Sequence, residues 1–291
     1  MYDFVLFGGD IRQIYMARYI QSLGYSVITY GLSHPMIQDI CKQAASFSEV
    51  VSSGNILIGP IPLSKDNTSI PALTALSDLN IETLLQFMHK DQILFAGMIP
   101  EPVALYCNEH QIILYDFMKE DSVAIQNGIA TAEGAIMEAI SKSNGNIHSS
   151  SVLVLGFGRC AKVLAHKLSG LDACVTICAR KDADLAYADS FGYETCSFHD
   201  LPEKIDSFDY IFNTIPYIVL PKELLCLIQE DTTIIDIASI PGGLDYPAAK
   251  ALNLNISHSL GIPGKVAPKA SAEILANYCL KKTTCRKKVS P

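Results

Sequence analysis

The chain has 291 residues, 49% of them hydrophobic and 18% charged, with a formal net charge of -8 at pH 7. That length supplies two domains of ordinary size, and the acidic balance argues against nucleic acid or an anionic membrane as the main partner. No apolar run approaches a membrane span, the N-terminus lacks the basic start of a signal peptide, and the nine scattered cysteines read as reduced thiols of a cytoplasmic protein without a metal site.

Residues 3–7 (DFVLF) read as a strand, Gly8-Gly9-Asp10 as a turn, 11–23 as a helix and 26–30 as the next strand. Asp10 would repel a phosphate, so this turn is not assigned a nucleotide. Strands at 56–58, 92–96 and 112–115 then alternate with helices at 81–90 and 101–109, after a Pro-, Ser- and Asn-rich loop over 61–80. The alternation predicts a parallel sheet with helices on both faces, a first domain over 1–121. Asp121 reads as the N-cap of a long helix from Ser122 to about Ser143, so 122–145 bridges to the next domain.

The second domain, 146–266, opens on the most informative stretch. Ser151–Leu155 is a buried strand, Gly156-Phe157-Gly158-Arg159-Cys160-Ala161 a turn entering a helix, and Cys174–Cys178 a second strand. This is a βαβ unit with a G-x-G-x-x-A fingerprint. Gly156 permits the tight turn, Gly158 lets the backbone approach a pyrophosphate, and the helix N-terminus offers N–H groups and a favourable dipole. After the second strand comes Ala179-Arg180-Lys181 where an NAD site usually carries a carboxylate. Two cations there favour the 2′-phosphate of NADP, with NAD the alternative.

Later strands at 193–196, 210–213, 233–237 and 256–260 complete a doubly wound Rossmann domain. Three end in Asn213-Thr214-Ile215-Pro216, in Ala238-Ser239-Ile240-Pro241-Gly242-Gly243 and in Gly261-Ile262-Pro263-Gly264. Strand carboxyl ends are where such sheets bind ligands, so Asn213, Thr214, Pro216, Ala238, Ser239 and Gly261 are expected to line the cofactor. A final helix over 267–280 and a fraying basic tail make up 267–291, expected to pack back on the first domain. Lys265 and Lys269 near the start of that helix, read with the second domain, and Arg12 in the first are candidate carboxylate clamps. Glu133 on the bridging helix and Asp10 are candidate bases, and His258 reads as a core histidine. Substrate held from both sides would draw the domains together and exclude water.

The stretches GGDIRQ, AIQNGIATAEGAI, GFGRCA, NTIP, DIASIPGG and GIPGKVAPKASAEILAN, in that order, resemble the A subunit of bacterial dipicolinate synthase. The resemblance runs through nearly the whole chain. It implies oxidation of dihydrodipicolinate to dipicolinate (pyridine-2,6-dicarboxylate) with NADP or NAD, in the mother cell of a sporulating bacterium. It also implies a partner, the flavoprotein-like B subunit of that synthase, with a small dicarboxylate for substrate and a homo-oligomeric state. The family's catalytic residues are not carried over. Dihydrodipicolinate and its hydrated precursor both remain open as substrate. Two other readings are a D-2-hydroxyacid dehydrogenase, which shares the two-domain plan but uses an Arg and a carboxylate-paired His absent here, and a nucleotide-binding protein without catalysis of its own.

Overall fold

The structure, a computed structural model, describes residues 1–74 and 76–287. The chain divides into two compact units, one of residues 1–124 with 267–291 and one of residues 125–266.

Unit 1 runs β1 (Phe4–Phe7), α1 (Ile11–Ser22), β2 (Val27–Tyr30), β3 (Lys42–Gln43), α2 (Phe47–Ser52), β4 (Ile56–Ile58), α3 (Ile81–Phe87), β5 (Ile93–Ala96), α4 (Glu101–Glu109) and β6 (Ile113–Asp116). The strands form one parallel sheet in the order β3-β2-β1-β4-β5-β6, with Val5 of the central β1 facing Ile28 on one side and Leu57 on the other. All four residues of β1 are buried, as a strand covered on both faces requires. One face packs Ile14, Met16, Ala17 and Ile20 of α1, and the other Phe47, Val50, Leu84 and Val103.

The sequence pattern misses β3 and α2. β3 is a two-residue exposed edge strand with no apolar run. α2 is short, and what starts it is local: Ser46 accepts from the Glu49 N–H as an N-cap.

The long helix α5 (Asp121–Lys142) begins in unit 1 and continues into unit 2; Asp121 is its first residue and not its cap. Unit 2 follows with β7 (Ser151–Leu155), α6 (Arg159–Ser169), β8 (Cys174–Cys178), α7 (Asp182–Ser190), β9 (Glu194–Cys196), β10 (Tyr210–Asn213), α8 (Lys222–Leu225), β11 (Thr233–Asp236), α9 (Tyr246–Ala251), β12 (Asn255–His258) and α10 (Ile262–Val266). Its sheet is also all parallel, in the order β12-β11-β10-β7-β8-β9. Relabelled from the first strand of each sheet, both orders are 3-2-1-4-5-6, the doubly wound nucleotide-binding order. Each unit therefore has a switch point beside its first strand, between β1 and β4 and between β7 and β10.

Gly134 lets α5 lie close to the rest of unit 2, since a Cβ there would collide with Ile262 and press on Val266. The last helix, α11 (Pro268–Lys287), belongs to unit 1, where Ala272, Leu275, Ala276 and Cys279 share a core with α1. The basic tail expected to fray is helical as far as Lys287, and 288–291 lie outside the described residues. Among the described residues no helix is long and apolar enough to cross a membrane, and no cluster of His, Cys, Asp and Glu is placed to hold a metal.

Candidate nucleotide site

β7 delivers the chain into the fingerprint turn. Gly156 has φ +97°, and a Cβ there would press on Thr214 Oγ1 at 2.6 Å, so only glycine fits. Thr214 in turn donates from Oγ1 to the Leu155 carbonyl at 2.8 Å, tying the end of β10 to that of β7. Gly158 is the N-cap of α6, with no side-chain cap and nothing within 4 Å of where a Cβ would stand. An uncapped helix N-terminus under open space is what a pyrophosphate needs.

Phe157 is buried in the core of unit 2, so any contribution to the site comes from its backbone. Arg159 is exposed and Cys160 half-buried; burial pushes the Cys160 thiol up to about 11, leaving it protonated. Beyond β8, Ala179 is buried while Arg180 and Lys181 are exposed. Lys181 stands at the N-cap of α7, whose first turn carries Asp182 and Asp184. The expected cofactor residues thus gather at the carboxyl ends of one parallel sheet: Gly156–Cys160 after β7, Ala179–Lys181 after β8, Asn213, Thr214 and Pro216 after β10, Ala238 and Ser239 after β11, and Gly261 after β12.

Asn213 does a different job from the one expected. It is fully buried, donates from Nδ2 to Asp236 Oδ1 at 2.8 Å and to the Ile215 carbonyl at 3.0 Å, and accepts from the Ile215 N–H. Its side chain shapes the loop and is already engaged. The centre of this arrangement is Asp236, which the sequence reading passed over as one more strand residue. Its fully buried carboxylate also accepts from the Ala238 N–H at 2.9 Å, the Gly243 N–H at 2.7 Å and the Tyr246 hydroxyl at 2.6 Å. Burial, then the Asp236 hydrogen bond and charge, push the Tyr246 phenol far above its usual range, so it stays a donor. Four donors on one buried carboxylate hold both loops, 213–216 and 238–243, in fixed shape. The signal was a lone acidic residue ending the apolar run TIID. His258 stacks on Tyr246 and its Nε2 lies 2.9 Å from the Ala238 carbonyl, consistent with its reading as a structural histidine.

The candidate substrate groups are less well placed. Glu133 pairs with Lys167 at 2.8 Å in a surface groove formed with His166, Gly170 and Leu171. That is the C-terminal half of α6, with Lys167 about 12 Å along the helix from Arg159 at the fingerprint turn. Glu133 is therefore not a base at the strand ends. Asp10 and Arg12 have each other: Arg12 donates from Nε and Nη2 to both Asp10 oxygens and from Nη2 to the Ile61 carbonyl at 2.9 Å. Burial raises the Asp10 pKa, but the Arg12 hydrogen bonds and charge outweigh it and hold the carboxyl below its ordinary 3.8. A depressed carboxylate is a poor base, and a guanidinium already paired is not a free clamp.

Lys265 is exposed on α10, and its charge helps to hold down the pKa of Glu138. Burial raises that pKa, but donation from Ser257 and Ser259 and the charges of Lys142 and Lys265 outweigh it and hold the carboxyl below its ordinary value. Lys269 is exposed and stands 4.0 Å from Glu273 on α11; it belongs to unit 1, not to the second unit with Lys265.

Residues 3–118 match the family described as the N-terminal domain of the dipicolinate synthase A subunit. The dipicolinate synthase A subunit of Bacillus subtilis (strain 168) is 29% identical over 286 residues, covering 94% of this chain and 93% of that protein. The crystal structure of the Bacillus subtilis protein superposes with a TM-score of 0.88 at 26% identity, over 99% of this chain and 98% of that one. A transhydrogenase from Sinorhizobium meliloti shares the fold, with a TM-score of 0.70 at 12% identity over 97% of this chain and 94% of its own. The chain resembles the dipicolinate synthase A subunit from end to end.

Proposed function

We propose that this chain is an NAD(P)-dependent oxidoreductase, the A subunit of a dipicolinate synthase, converting dihydrodipicolinate to dipicolinate in partnership with a B subunit, in the cytoplasm of a sporulating mother cell. The observation that carries the reading is the uncapped N-terminus of α6 beneath open space at the β7/β10 switch point, in a chain that resembles the Bacillus subtilis A subunit over 94% of its length. When bound there, a nicotinamide nucleotide supplies the oxidant that the aromatisation requires.

The chain's own residues do the rest. Gly156 and Gly158 admit the pyrophosphate, and the N–H groups opening α6 bond it. Arg180 and Lys181 receive a 2′-phosphate, which makes NADP the preferred cofactor. Thr214, Ser239 and the Asp236-fixed loops line the nicotinamide half. Lys265, an exposed cation on α10 after the last strand of the same unit, receives a substrate carboxylate.

The test is to follow reduced nicotinamide by absorbance with dihydrodipicolinate, each of the two proteins omitted in turn and each cofactor supplied. Turnover with this chain alone, or loss of turnover in the two-protein mixture when Gly158→Val replaces the native chain, is expected. Full turnover by the B subunit without this chain would refute the reading, and reduction of simple 2-oxo acids with NADPH would replace it with a hydroxyacid dehydrogenase.

A further inference from the structure

Unit 2 leaves one side of α5 uncovered. The inner side of the helix packs Ala132, Ala135, Ile136 and Ala139 into the core. The outer side is apolar as well. Ile125, Ile129, Met137 and Ile140 follow one another at steps of four, eight and three residues, which places them on one stripe of a helix. Each is between 43% and 56% exposed. A helix that is apolar on both sides is normally buried on both. Beside the stripe, between α5 and α6, runs an open groove of about 420 Å³ lined by Glu133, Ile136, Lys167 and Leu171, and Leu171 is itself 42% exposed. Together these five exposed side chains present on the order of 500 Å² of apolar surface, the size at which a patch on a single chain marks an interaction site.

The stripe is laid out as its own complement. Glu133 stands at its middle, with Ile129 four residues before and Met137 four after, and with Ile125 eight before and Ile140 seven after. Two such helices, packed antiparallel about a twofold axis at Glu133, set Ile129 against Met137 of the second copy and Ile125 beside its Ile140. Each contact then occurs twice, as an isologous interface requires. The charge at the centre is also matched within the chain. Lys167 Nζ lies 2.8 Å from Glu133 Oε1, so the two ion pairs meet near the axis with their signs able to alternate. Neither copy needs a countercharge from a different protein. We propose that this face of unit 2 joins two copies of the chain, α5 against α5, with Ile129 of each copy seated at the groove between α5 and α6 of the other. Two copies bury on the order of 1,000 Å² of apolar surface there before any polar rim is added, which is what a specific interface needs. The pairing does not depend on what the strand ends bind.

The test is the mass of the full chain in solution, by sedimentation equilibrium at micromolar concentration. Twice the chain's 31.7 kDa is expected. Ile129→Lys and Met137→Glu each put an unpaired charge against an apolar side chain at two places in the interface, and each should weaken the dimer at least about a hundredfold. Mixed in equal amounts, the two variants should dimerise again. The antiparallel register then sets the new lysine against the new glutamate at one contact and leaves a native Ile129–Met137 contact at the other. Both positions are exposed in the single chain, so both variants should fold. Thermal melting checks this, and Ile129→Gln with Met137→Gln, each expected to weaken the dimer at least about tenfold, stand in if either is not folded. A dimer of native strength in either variant, or a mixture of the charged pair that stays monomeric, would overturn the proposal. So would a monomeric native chain, and if Met137→Glu then costs that chain its binding of the B subunit, the B subunit covers the stripe instead.

Discussion

The turn Gly8-Gly9-Asp10 and the turn Gly156-Phe157-Gly158 end equivalent strands of two sheets with the same strand order, and each leads straight into a helix. The third residue sets their helix ends apart. Asp10 caps α1, its side chain accepting from the Arg12 N–H at 2.9 Å, and so fills the end of the helix with the chain's own anion. Gly158 leaves α6 uncapped. Unit 2 has its carboxylate too, but it is set back at Asp236, buried under the loops instead of on the helix. One fold thus gives a closed switch point and an open one, and the position of a single carboxylate decides which. A shared topology by itself says nothing about binding.

The largest effect in this comparison belongs to the buried carboxylate. Asp236→Ala leaves the Ala238 and Gly243 N–H groups and the Tyr246 hydroxyl without their acceptor. We expect a loss of about 3–5 kcal/mol of stability, the usual cost of breaking a buried charged network, read from urea unfolding. A loss under about 1 kcal/mol, the range of an ordinary surface substitution, would mean that the loops hold their shape without it.

Next comes the conversion of the open turn into the closed one. Gly158 has φ -79°, which any residue adopts, so Gly158→Asp should fold and even gain roughly a few tenths of a kcal/mol from the new cap. Nucleotide affinity should fall by at least about a hundredfold, since the new anion takes the place of the phosphate. A variant that still binds NADP with native affinity would show that α6 is not where the pyrophosphate lies.

Much of this was legible in the sequence. Ser151–Leu155, the G-x-G-x-x-A turn and the second strand appear where the pattern puts them, because a strand buried on both faces must be a short apolar run and the turn admits only glycine at Gly156. Glu133 was not legible. A helix pattern says which residues share a face but not which end of a neighbouring helix they meet, and Glu133 meets the wrong end of α6 for catalysis at the strand termini. Asp236 was missed for the opposite reason: a polar residue in an apolar pattern reads as noise until its partners are seen. The pairing of Arg12 with Asp10 lies between these cases. The two residues stand side by side in GGDIRQ, yet the reading gave them separate roles.

A smaller effect concerns cofactor choice at the open turn. Arg180 and Lys181 are exposed, and Asp182 and Asp184 follow at once in the first turn of α7. The cations favour a 2′-phosphate and the two carboxylates oppose it. Arg180→Asp should therefore weaken NADP by about ten- to a hundredfold, the range of a charged hydrogen bond worth roughly 1.5–3 kcal/mol, and NAD by much less. Equal losses for the two cofactors, measured by fluorescence titration, would remove Arg180 from the 2′-phosphate site.

The smallest effect tests the closed turn. Asp10→Asn keeps a capping side chain but removes the charge that Arg12 holds. Arg12 is nearly buried and Asp10 is about half exposed, with side-chain exposures of 12% and 46%, so solvent screens part of the attraction. The cost at neutral pH should be about 1 kcal/mol. Its pH dependence follows from the sign of the shift. The folded carboxyl is held below its ordinary 3.8, so ionised Asp10 stabilises the fold fully above about pH 4 and loses that contribution as the pH falls through the folded value. The native chain and Asp10→Asn should therefore differ in stability at pH 7 and converge in acid, with the gap closing only below about pH 4. A gap that persists unchanged at the acid end would mean that the cap's shape, not its charge, closes this turn. NADP affinity at neutral pH should be the same in both proteins, because in unit 1 the third residue of the turn caps the helix and in unit 2 it leaves the helix N-terminus open.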